Sequence, residues 1–217
     1  PYPYPDPTPN LTPNQVDSAK SPAKNADGKL RALTRGTTPA LAPPARTVGG
    51  GATHRARIGL EDLDLCSLAQ QVAPGRRTVV VAKHLCGAAT DYALRSAVAS
   101  RAAGVPPVAV VLSTCCHHRC TYQAYPNRPF LARLGLSGRA DFGALCRVAS
   151  WYVDGRQTVD DSAASVRARV GASAKALLDE GRAEYLRAHG FDDTTLCRFV
   201  DAAVSPENML LVASCPL

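Results

Sequence analysis

A chain of 217 residues with 46% apolar side chains is long enough for one domain of ordinary size plus a tail. The net charge of +7 favours a polyanionic partner, because basic surfaces attract phosphate-bearing ligands. No apolar run is long enough to cross a bilayer, and the eight cysteines follow no disulfide spacing. We therefore expect neither a membrane protein nor a disulfide scaffold, but free thiols in a reducing compartment.

The first 54 residues are predicted to be a disordered, basic segment rich in proline and glycine. Ten of the seventeen prolines lie within the first fifty residues, and the alternation of prolines over residues 1–9 prevents a helix and removes strand hydrogen bonds. Three consecutive glycines at 49–51 end the segment as a flexible joint. The folded part is therefore predicted to span residues 55–217, the size of a single α/β domain.

From residue 55 onward, predicted strands and helices alternate along the chain. The predicted strands are residues 56–60, 78–82, 108–112, 196–200 and 209–214. The predicted helices are residues 66–72, 90–101 and 172–189. A strand, a helix and a strand with short connections predict parallel pairing, whereas the turn between the last two strands predicts an antiparallel pair at one edge. The predicted fold class is therefore α/β, with a mostly parallel sheet and an antiparallel edge pair.

A first motif follows the predicted strand 78–82 and consists of Lys83, His84, Leu85, Cys86 and Gly87. The β-branched run before it suits a strand buried on both faces. In α/β sheets ligands bind outside the carboxyl ends of the strands, so a lysine, a histidine and a thiol would line a crevice here. The glycine would let the backbone pass close to a ligand. The alternative is a solvated lysine, a hydrogen-bonded histidine and a thiol that fills the core.

A second motif follows the predicted strand 108–112 and consists of Cys115, Cys116, His117, His118, Arg119 and Cys120. Such a run invites a zinc interpretation, but closed zinc sites usually join two separated ligand pairs, so Cys116 and Cys120 could share a metal only with distant ligands. A reactive strand end is favoured, where an imidazole removes a proton from a hydroxyl and Arg119 binds a phosphate. The alternative is a buried Cys/His cluster without a ligand.

A third motif is the acidic pair Glu61 and Asp62 after the predicted strand 56–60. A carboxylate in such a loop can accept hydrogen bonds from an adenine amino group or a ribose hydroxyl. The alternative is an ordinary solvated loop, because acidic loops are common on protein surfaces.

The sequence around these motifs resembles the eukaryotic tRNA 2′-O-methyltransferases that modify position 4 of the acceptor stem. The resemblance rests on two long motifs, KHLCGAATD at residues 83–91 and LSTCCHHRC at residues 112–120. It covers about residues 55–217 and continues in shorter matches at residues 150–151, 177–186, 190–191 and 205–211. The order and separation of the motifs also fit this family.

The resemblance implies a Rossmann-like class I methyltransferase fold and methyl transfer from S-adenosylmethionine to a ribose 2′-hydroxyl of tRNA, in the nucleus or the cytoplasm. Residues 83–87 would follow the fourth strand, and residues 115–120 would follow the fifth strand and face the RNA. The implied cofactor-binding residues are Asp62, Lys83, Cys86 and Gly87. The implied catalytic residues are His117 or His118 as proton acceptor, then Lys83 and His84, with Arg119 on an RNA phosphate. No residue is assigned as a metal ligand.

The chain also departs from the family pattern. Members carry a glycine-rich loop after the first strand, an acidic residue after the second and zinc-binding modules ahead of the catalytic domain, and this sequence shows none of these. We therefore expect the C-terminal part of such an enzyme, without the loop that holds the methionine end of the cofactor. Two alternatives stay open: a non-catalytic truncated paralogue or gene fragment that at most binds tRNA, and a redox or zinc protein built on the Cys/His cluster.

Overall fold

The computed structural model describes residues 55–152 and 162–215, together with the backbone of three short strands that precede them. The chain divides into two compact units, Pro1–Leu63 and Asp64–Leu217. The segment 1–54 that the sequence predicts to be disordered lies outside the described residues except for these strands. Among the residues described, none of the helices combines the length and the apolar composition that crossing a bilayer requires.

The described part of the first unit consists of short strands and one turn of 3₁₀ helix. Its strands are β1 Gln15–Asp17, β2 Ala45–Arg46, β3 Ala52–Thr53 and β4 Arg55–Arg57. β1 pairs with β4 in parallel, and β2 pairs with β3 in antiparallel fashion. The predicted strand 56–60 is confirmed only at its start, because the 3₁₀ turn Leu60–Asp62 begins at its last residue.

The second unit is built on a four-stranded sheet with helices packed against it. Its strands are β5 Val79–Cys86, β6 Ala109–Cys115, β7 Asp193–Arg198 and β8 Met209–Ser214. Its helices are α1 Leu65–Val72, α2 Ala88–Ala102, α3 Arg128–Arg133, α4 Arg139–Ser150 and α5 Ser162–Ala188. The predicted α/β class is confirmed, whereas α3 and α4 were not assigned from the sequence.

The order of the strands is β5-β6-β8-β7. β5 and β6 are parallel and α2 connects them, as the strand–helix–strand pattern predicts. β7 and β8 form the predicted antiparallel pair at one edge. Because β8 lies between β6 and β7, three strands run in one direction but only β5 and β6 are parallel neighbours. The prediction of a mostly parallel sheet is therefore wrong for the pairing of neighbours, since the final hairpin inserts its last strand into the sheet.

β5 lies at the other edge of the sheet and is less buried than its composition predicts. Val79 is 54% exposed and Val81 is 69% exposed, so the prediction of a strand buried on both faces is wrong. Within the second unit, α2 packs against the opposite face of β5, where Val80 and Ala82 join the core. The β-branched run indicates strand propensity here and does not require burial on both sides.

Both strands that carry the long motifs extend further than predicted. β5 continues through Cys86 and β6 through Cys115, so most of the first motif lies within a strand instead of after it. The register between the two strands shifts between Ala82 and Leu85. Such irregularities bend a strand and redirect its side chains, and this one lies at the carboxyl end of β5.

Two apolar clusters share the long helix α5. The cluster against the sheet includes Leu94, Leu112, Leu186, Phe191 and Leu211. The cluster near α3 and α4 includes Tyr125, Leu131, Phe142, Cys146 and Leu178. The helix was predicted over residues 172–189 and begins ten residues earlier, at Ser162, while residues 153–161 lie outside the description. α5 therefore packs both against the sheet and against the helices that follow β6.

Candidate functional site

The two long motifs meet at the carboxyl end of the parallel strand pair. Leu85 pairs with Thr114, and Cys86 pairs with Cys115. One residue beyond β5, the amide of Gly87 donates a hydrogen bond to the carbonyl of Cys115 at 3.2 Å. The structure thus brings residues 83–87 and 115–120 together at the edge of the sheet where α/β proteins bind their ligands.

The close contact between the two motifs requires a glycine at position 87. Its φ is +56°, a left-handed conformation that favours glycine. A Cβ atom at this position would overlap the backbone of Arg119. The close neighbour of Gly87 is therefore the 3₁₀ turn His117–Arg119 of this same chain, and α2 begins at the next residue.

Four side chains at this edge form what we call the thiol–imidazole cluster: His84, Cys86, Cys115 and Cys116. The Cys86 Sγ atom lies 3.6 Å from the His84 Nε2 atom and 3.6 Å from the Cys115 Sγ atom. Cys116 is the next residue in the chain after Cys115 and adds a third thiol to this edge. His84 is exposed, Cys86 and Cys116 are half-buried, and Cys115 is buried. The cluster therefore reaches from the protein interior to solvent.

Two thiols of this cluster, those of Cys115 and Cys116, have raised pKa values. Burial raises the pKa of the Cys115 thiol far above its ordinary value, and the hydrogen bond with Cys86 raises it further. Burial and the hydrogen bond with Cys86 also raise the pKa of Cys116. Because the thiolate is the reactive form of cysteine, neither thiol is an activated nucleophile at neutral pH in these surroundings.

The backbone is strained at both strand ends of the cluster. His84 has a φ of +72° and Cys116 has a φ of +47°, and these are the non-glycine residues with positive φ in the described part of the chain. A left-handed conformation costs a non-glycine residue about 1–3 kcal/mol and is kept only where the surroundings impose it, frequently at functional sites. The two strained residues belong to the same group of donor atoms.

The turn after β6 also reaches a set of five buried polar residues, which we call the buried ion network: Asp91, Thr114, His117, Asp179 and Arg182. The His117 Nε2 atom lies 2.9 Å from Asp179 Oδ1, and the Thr114 hydroxyl donates to Asp179 Oδ2 at 3.0 Å. Arg182 donates to Asp179 and to Asp91, in both cases at 2.8 Å. Each of these residues is at most 2% exposed. The network joins β6, α2 and α5.

The network contains or contacts two residues of the second motif, His117 and Cys120. Because a carboxylate only accepts hydrogen bonds, the His117 Nε2 atom donates this one, and the buried Nδ1 atom has no partner in the described part of the chain. The Cys120 Sγ atom accepts a hydrogen bond from Arg182 at 3.0 Å. His118 and Arg119, which lie between these two residues, are exposed. The motif therefore divides between the interior and the surface.

The buried charges set the protonation of the network. Burial alone would raise the pKa of Asp179, but His117 and Arg182 outweigh it and lower the pKa from 3.8 to about 2. Burial dominates at Asp91 and raises its pKa, although Arg182 opposes the shift. Asp179 is therefore the carboxylate that the network holds most firmly ionised.

The predicted site residues differ in exposure and in location. The residues exposed at the sheet edge are Lys83, His84, His118 and Arg119. His117 is buried, and Cys86 and Gly87 contact the end of β6. Asp62 is exposed in the 3₁₀ turn of the first unit, so its predicted place beside the others stays a prediction.

Sequence reasoning missed the roles of Asp91, Asp179 and Arg182. A signal for Arg182 was present, because it lies four residues from both Leu178 and Leu186 on the apolar stripe of α5, and all three are 0% exposed. A charged residue in the middle of such a stripe requires buried partners. The partners could not be identified from spacing, since Asp91 precedes Arg182 by 91 residues.

A comparison with protein families finds that the profile described as "Methyltransferase TRM13" matches residues 20–214. The chain belongs to this TRM13 family. The match confirms the family that the motifs at residues 83–91 and 112–120 predicted. It also extends to residues 20–54, which the resemblance of the motifs did not cover.

The chain is similar to several proteins named "tRNA:m(4)X modification enzyme TRM13". It is 33% identical to the Eremothecium gossypii protein over 181 residues, which cover 76% of this chain and 40% of that protein. It is 30% identical to the Yarrowia lipolytica protein over 222 residues, or 89% of this chain and 45% of that protein. A human TRM13 homolog is 28% identical over 211 residues and is covered to 44%. The chain thus spans less than half the length of these relatives, and no solved structure matches it.

Proposed function

We propose that this chain carries the methyl-transfer part of a TRM13 enzyme, which moves a methyl group from S-adenosylmethionine to the ribose 2′-hydroxyl at position 4 of tRNA. Membership of a methyltransferase family supports the reaction class, and the names of the relatives support tRNA as the substrate. The main structural support is the group of basic side chains exposed at the carboxyl ends of β5 and β6, namely Lys83, His118 and Arg119.

The sheet supports a class I methyltransferase fold for the second unit. β5 and β6 are parallel neighbours connected by α2, as the resemblance requires of the fourth and fifth strands. The two motifs follow or end these strands on the same side of the sheet. The proposed methyl-transfer site therefore lies where the two strands end.

For this reaction the protein must align the ribose oxygen with the methyl group and help to remove the proton of the ribose hydroxyl. S-adenosylmethionine supplies a methyl group that its positive sulfur already activates, so no covalent intermediate with the protein is needed. In the second unit, the exposed ammonium of Lys83 can bind a carboxylate. In the first unit, the exposed carboxylate of Asp62 can accept hydrogen bonds from an adenine amino group or a ribose hydroxyl, as the resemblance implies. Cys86 and Gly87 contact β6 instead, so within the second unit we assign cofactor binding to Lys83.

His118 is the residue that we assign as acceptor of the ribose proton. Its imidazole is exposed beside Arg119, whose planar guanidinium suits a neighbouring phosphate. His117 is a positioning residue, because it is 2% exposed and its Nε2 atom is bound to Asp179. It anchors the turn from which His118 and Arg119 project. His84 contacts the Cys86 thiol and receives no part in proton transfer here.

The test compares two tRNAs that differ in one oxygen atom. The purified chain is incubated with S-adenosylmethionine and a tRNA that carries either a ribose or a 2′-deoxyribose at position 4, and the methylated nucleosides are measured by mass spectrometry. We expect methylation of the ribose form alone. His118→Ala should lower the rate about 100-fold or more, the usual contribution of a general base. His189→Ala, which removes an exposed histidine at the end of α5, should leave the rate unchanged.

Three outcomes would contradict the proposal. Equal methylation of both tRNAs would show that the ribose oxygen is not the acceptor. An unchanged rate for His118→Ala would remove the assignment of the proton acceptor. Binding of tRNA without binding of S-adenosylhomocysteine in a calorimetric titration would show that this chain is a tRNA-binding protein without methyl transfer.

A further inference from the structure

The thiol–imidazole cluster has the donor atoms of a metal site. The Nε2 atom of His84 and the Sγ atoms of Cys86 and Cys115 all lie within 4.8 Å of one another. They come from the ends of two adjacent strands that are parallel and hydrogen-bonded, so the sheet fixes their separation. Imidazole nitrogen and thiolate sulfur are the ligands that zinc prefers in proteins.

The distances within the cluster agree with tetrahedral zinc. With Zn–S bonds of about 2.3 Å and Zn–N bonds of about 2.0 Å, two sulfur ligands lie about 3.8 Å apart, and a nitrogen and a sulfur lie about 3.5 Å apart. The Sγ atoms of Cys86 and Cys115 are 3.6 Å apart, and the Cys86 Sγ and His84 Nε2 atoms are 3.6 Å apart. A disulfide would require sulfurs about 2.05 Å apart, so the two thiols are not bonded to each other.

The backbone strain of the cluster has an explanation if these atoms share a ligand. His84, which has the left-handed conformation, lies within the register shift between Ala82 and Leu85. A regular strand would point the side chains of His84 and Cys86 to the same face but about two residues apart along the strand. The irregularity is the local feature that accompanies the approach of the imidazole to within 3.6 Å of the thiol.

We propose that His84, Cys86 and Cys115 bind one zinc ion at the carboxyl ends of β5 and β6. The ion displaces one proton from each thiol, so that two thiolates balance the charge of Zn²⁺ and the neutral imidazole binds through Nε2. Cys116 follows Cys115 directly in the chain and is half-buried, but the proposed donor set is His84, Cys86 and Cys115. The proposal does not depend on methyl transfer, because it rests on the donor atoms alone.

This site differs from the one that the spacing of the second motif suggests. Cys120, a possible metal ligand with Cys116 by motif spacing, instead faces the buried ion network and accepts a hydrogen bond from Arg182. His117 is bound to Asp179. The zinc ligands therefore come from both long motifs, with Cys115 as the only proposed ligand from the second one.

The metal content of the purified chain tests the proposal. The protein is purified with a reducing agent, stripped with a chelator, titrated with zinc and analysed by inductively coupled plasma mass spectrometry after removal of free metal. We expect about one zinc ion per chain, and a loss of affinity of at least about tenfold in His84→Gln and in the double variant Cys86→Ser with Cys115→Ser. The matched control is Cys66→Ser with Cys197→Ser, which removes two thiols outside the cluster and should retain the zinc.

Cobalt provides a second readout that does not require the variants to fold. Co²⁺ bound by thiolates in a tetrahedral site absorbs visible light strongly and shows a sulfur-to-metal charge-transfer band, so the unaltered chain should develop both signals with about one equivalent of the ion. Absence of these bands and of zinc in the unaltered chain would overturn the proposal. Full zinc binding by a folded Cys86→Ser, Cys115→Ser variant would overturn it as well. A Cys86–Cys115 disulfide together with no bound metal, in protein kept under reducing agent, would also overturn the proposal.

Discussion

The turn after β6 has two sides that differ in almost every physical respect. Toward α5, His117 and Cys120 are buried and are held by Asp179 and Arg182. Toward β5, Cys115 contacts Cys86 within the thiol–imidazole cluster, and toward solvent His118 and Arg119 are exposed. The difference teaches that a dense run of titratable residues need not be one site. Different residues of the same motif maintain the fold and present the chemistry.

The largest effect on stability is expected when the buried ion network loses its cation, Arg182. Arg182→Met keeps much of the side-chain volume but leaves Asp91 and Asp179 buried without their cation, so the free energy of unfolding should fall by about 3–5 kcal/mol. Urea denaturation followed by circular dichroism measures this change. The matched control is Arg133→Met, which breaks the exposed pair with Glu184 and should cost less than about 1 kcal/mol. Similar losses in both variants would contradict the buried network.

The two carboxylates of the network should differ in importance. Asp179 accepts hydrogen bonds from Thr114, His117 and Arg182, so Asp179→Asn should lower the free energy of unfolding by about 3 kcal/mol. Asp91 accepts one from Arg182, and its other oxygen is buried without a partner in the described part of the chain. Asp91→Asn should therefore cost about 1 kcal/mol. The same denaturation experiment ranks the two, and the reverse order would be incompatible with the charges described.

Acid should weaken the fold through Asp179. Its pKa in the folded protein is lowered to about 2 from an ordinary value of 3.8, so it stabilises the folded state above pH 3.8 and loses this contribution as the pH falls toward 2. The contribution is about 2 kcal/mol. Unfolding measured at decreasing pH should show this loss in the unaltered chain and in Asp91→Asn, but not in Asp179→Asn. If Asp179→Asn lost as much stability at low pH as the unaltered chain, Asp179 would not be the source of the acid sensitivity.

The sequence supported the architecture better than the roles of single residues. Periodicity and β-branched runs located β5, β6 and β8, and the turn before Met209 predicted the antiparallel edge pair. The insertion of β8 beside β6 was not predictable, since it depends on pairing between segments about a hundred residues apart. Local patterns report local structure, whereas the neighbours of a strand depend on the whole sheet.

The two long motifs lie together as the sequence predicts, but the sequence does not show how their residues divide between interior and surface. The motifs predicted that residues 83–87 and 115–120 lie at strand ends, and the structure brings them together. The burial of His117 depends on Asp179, and the approach of His84 to Cys86 depends on an irregular strand end. Both are tertiary features. A sequence motif places all its residues in one line and does not show which side of the turn each one faces.

The most direct test of the division is a comparison of the two adjacent histidines. His117→Ala and His118→Ala remove the same side chain one residue apart, and the free energy of unfolding of each variant is measured by urea denaturation. We expect His117→Ala to lose about 2–3 kcal/mol, because Asp179 loses a buried partner, and His118→Ala to change by less than about 0.5 kcal/mol. Equal losses in the two variants, or a larger loss in His118→Ala, would contradict a turn with one structural and one chemical side.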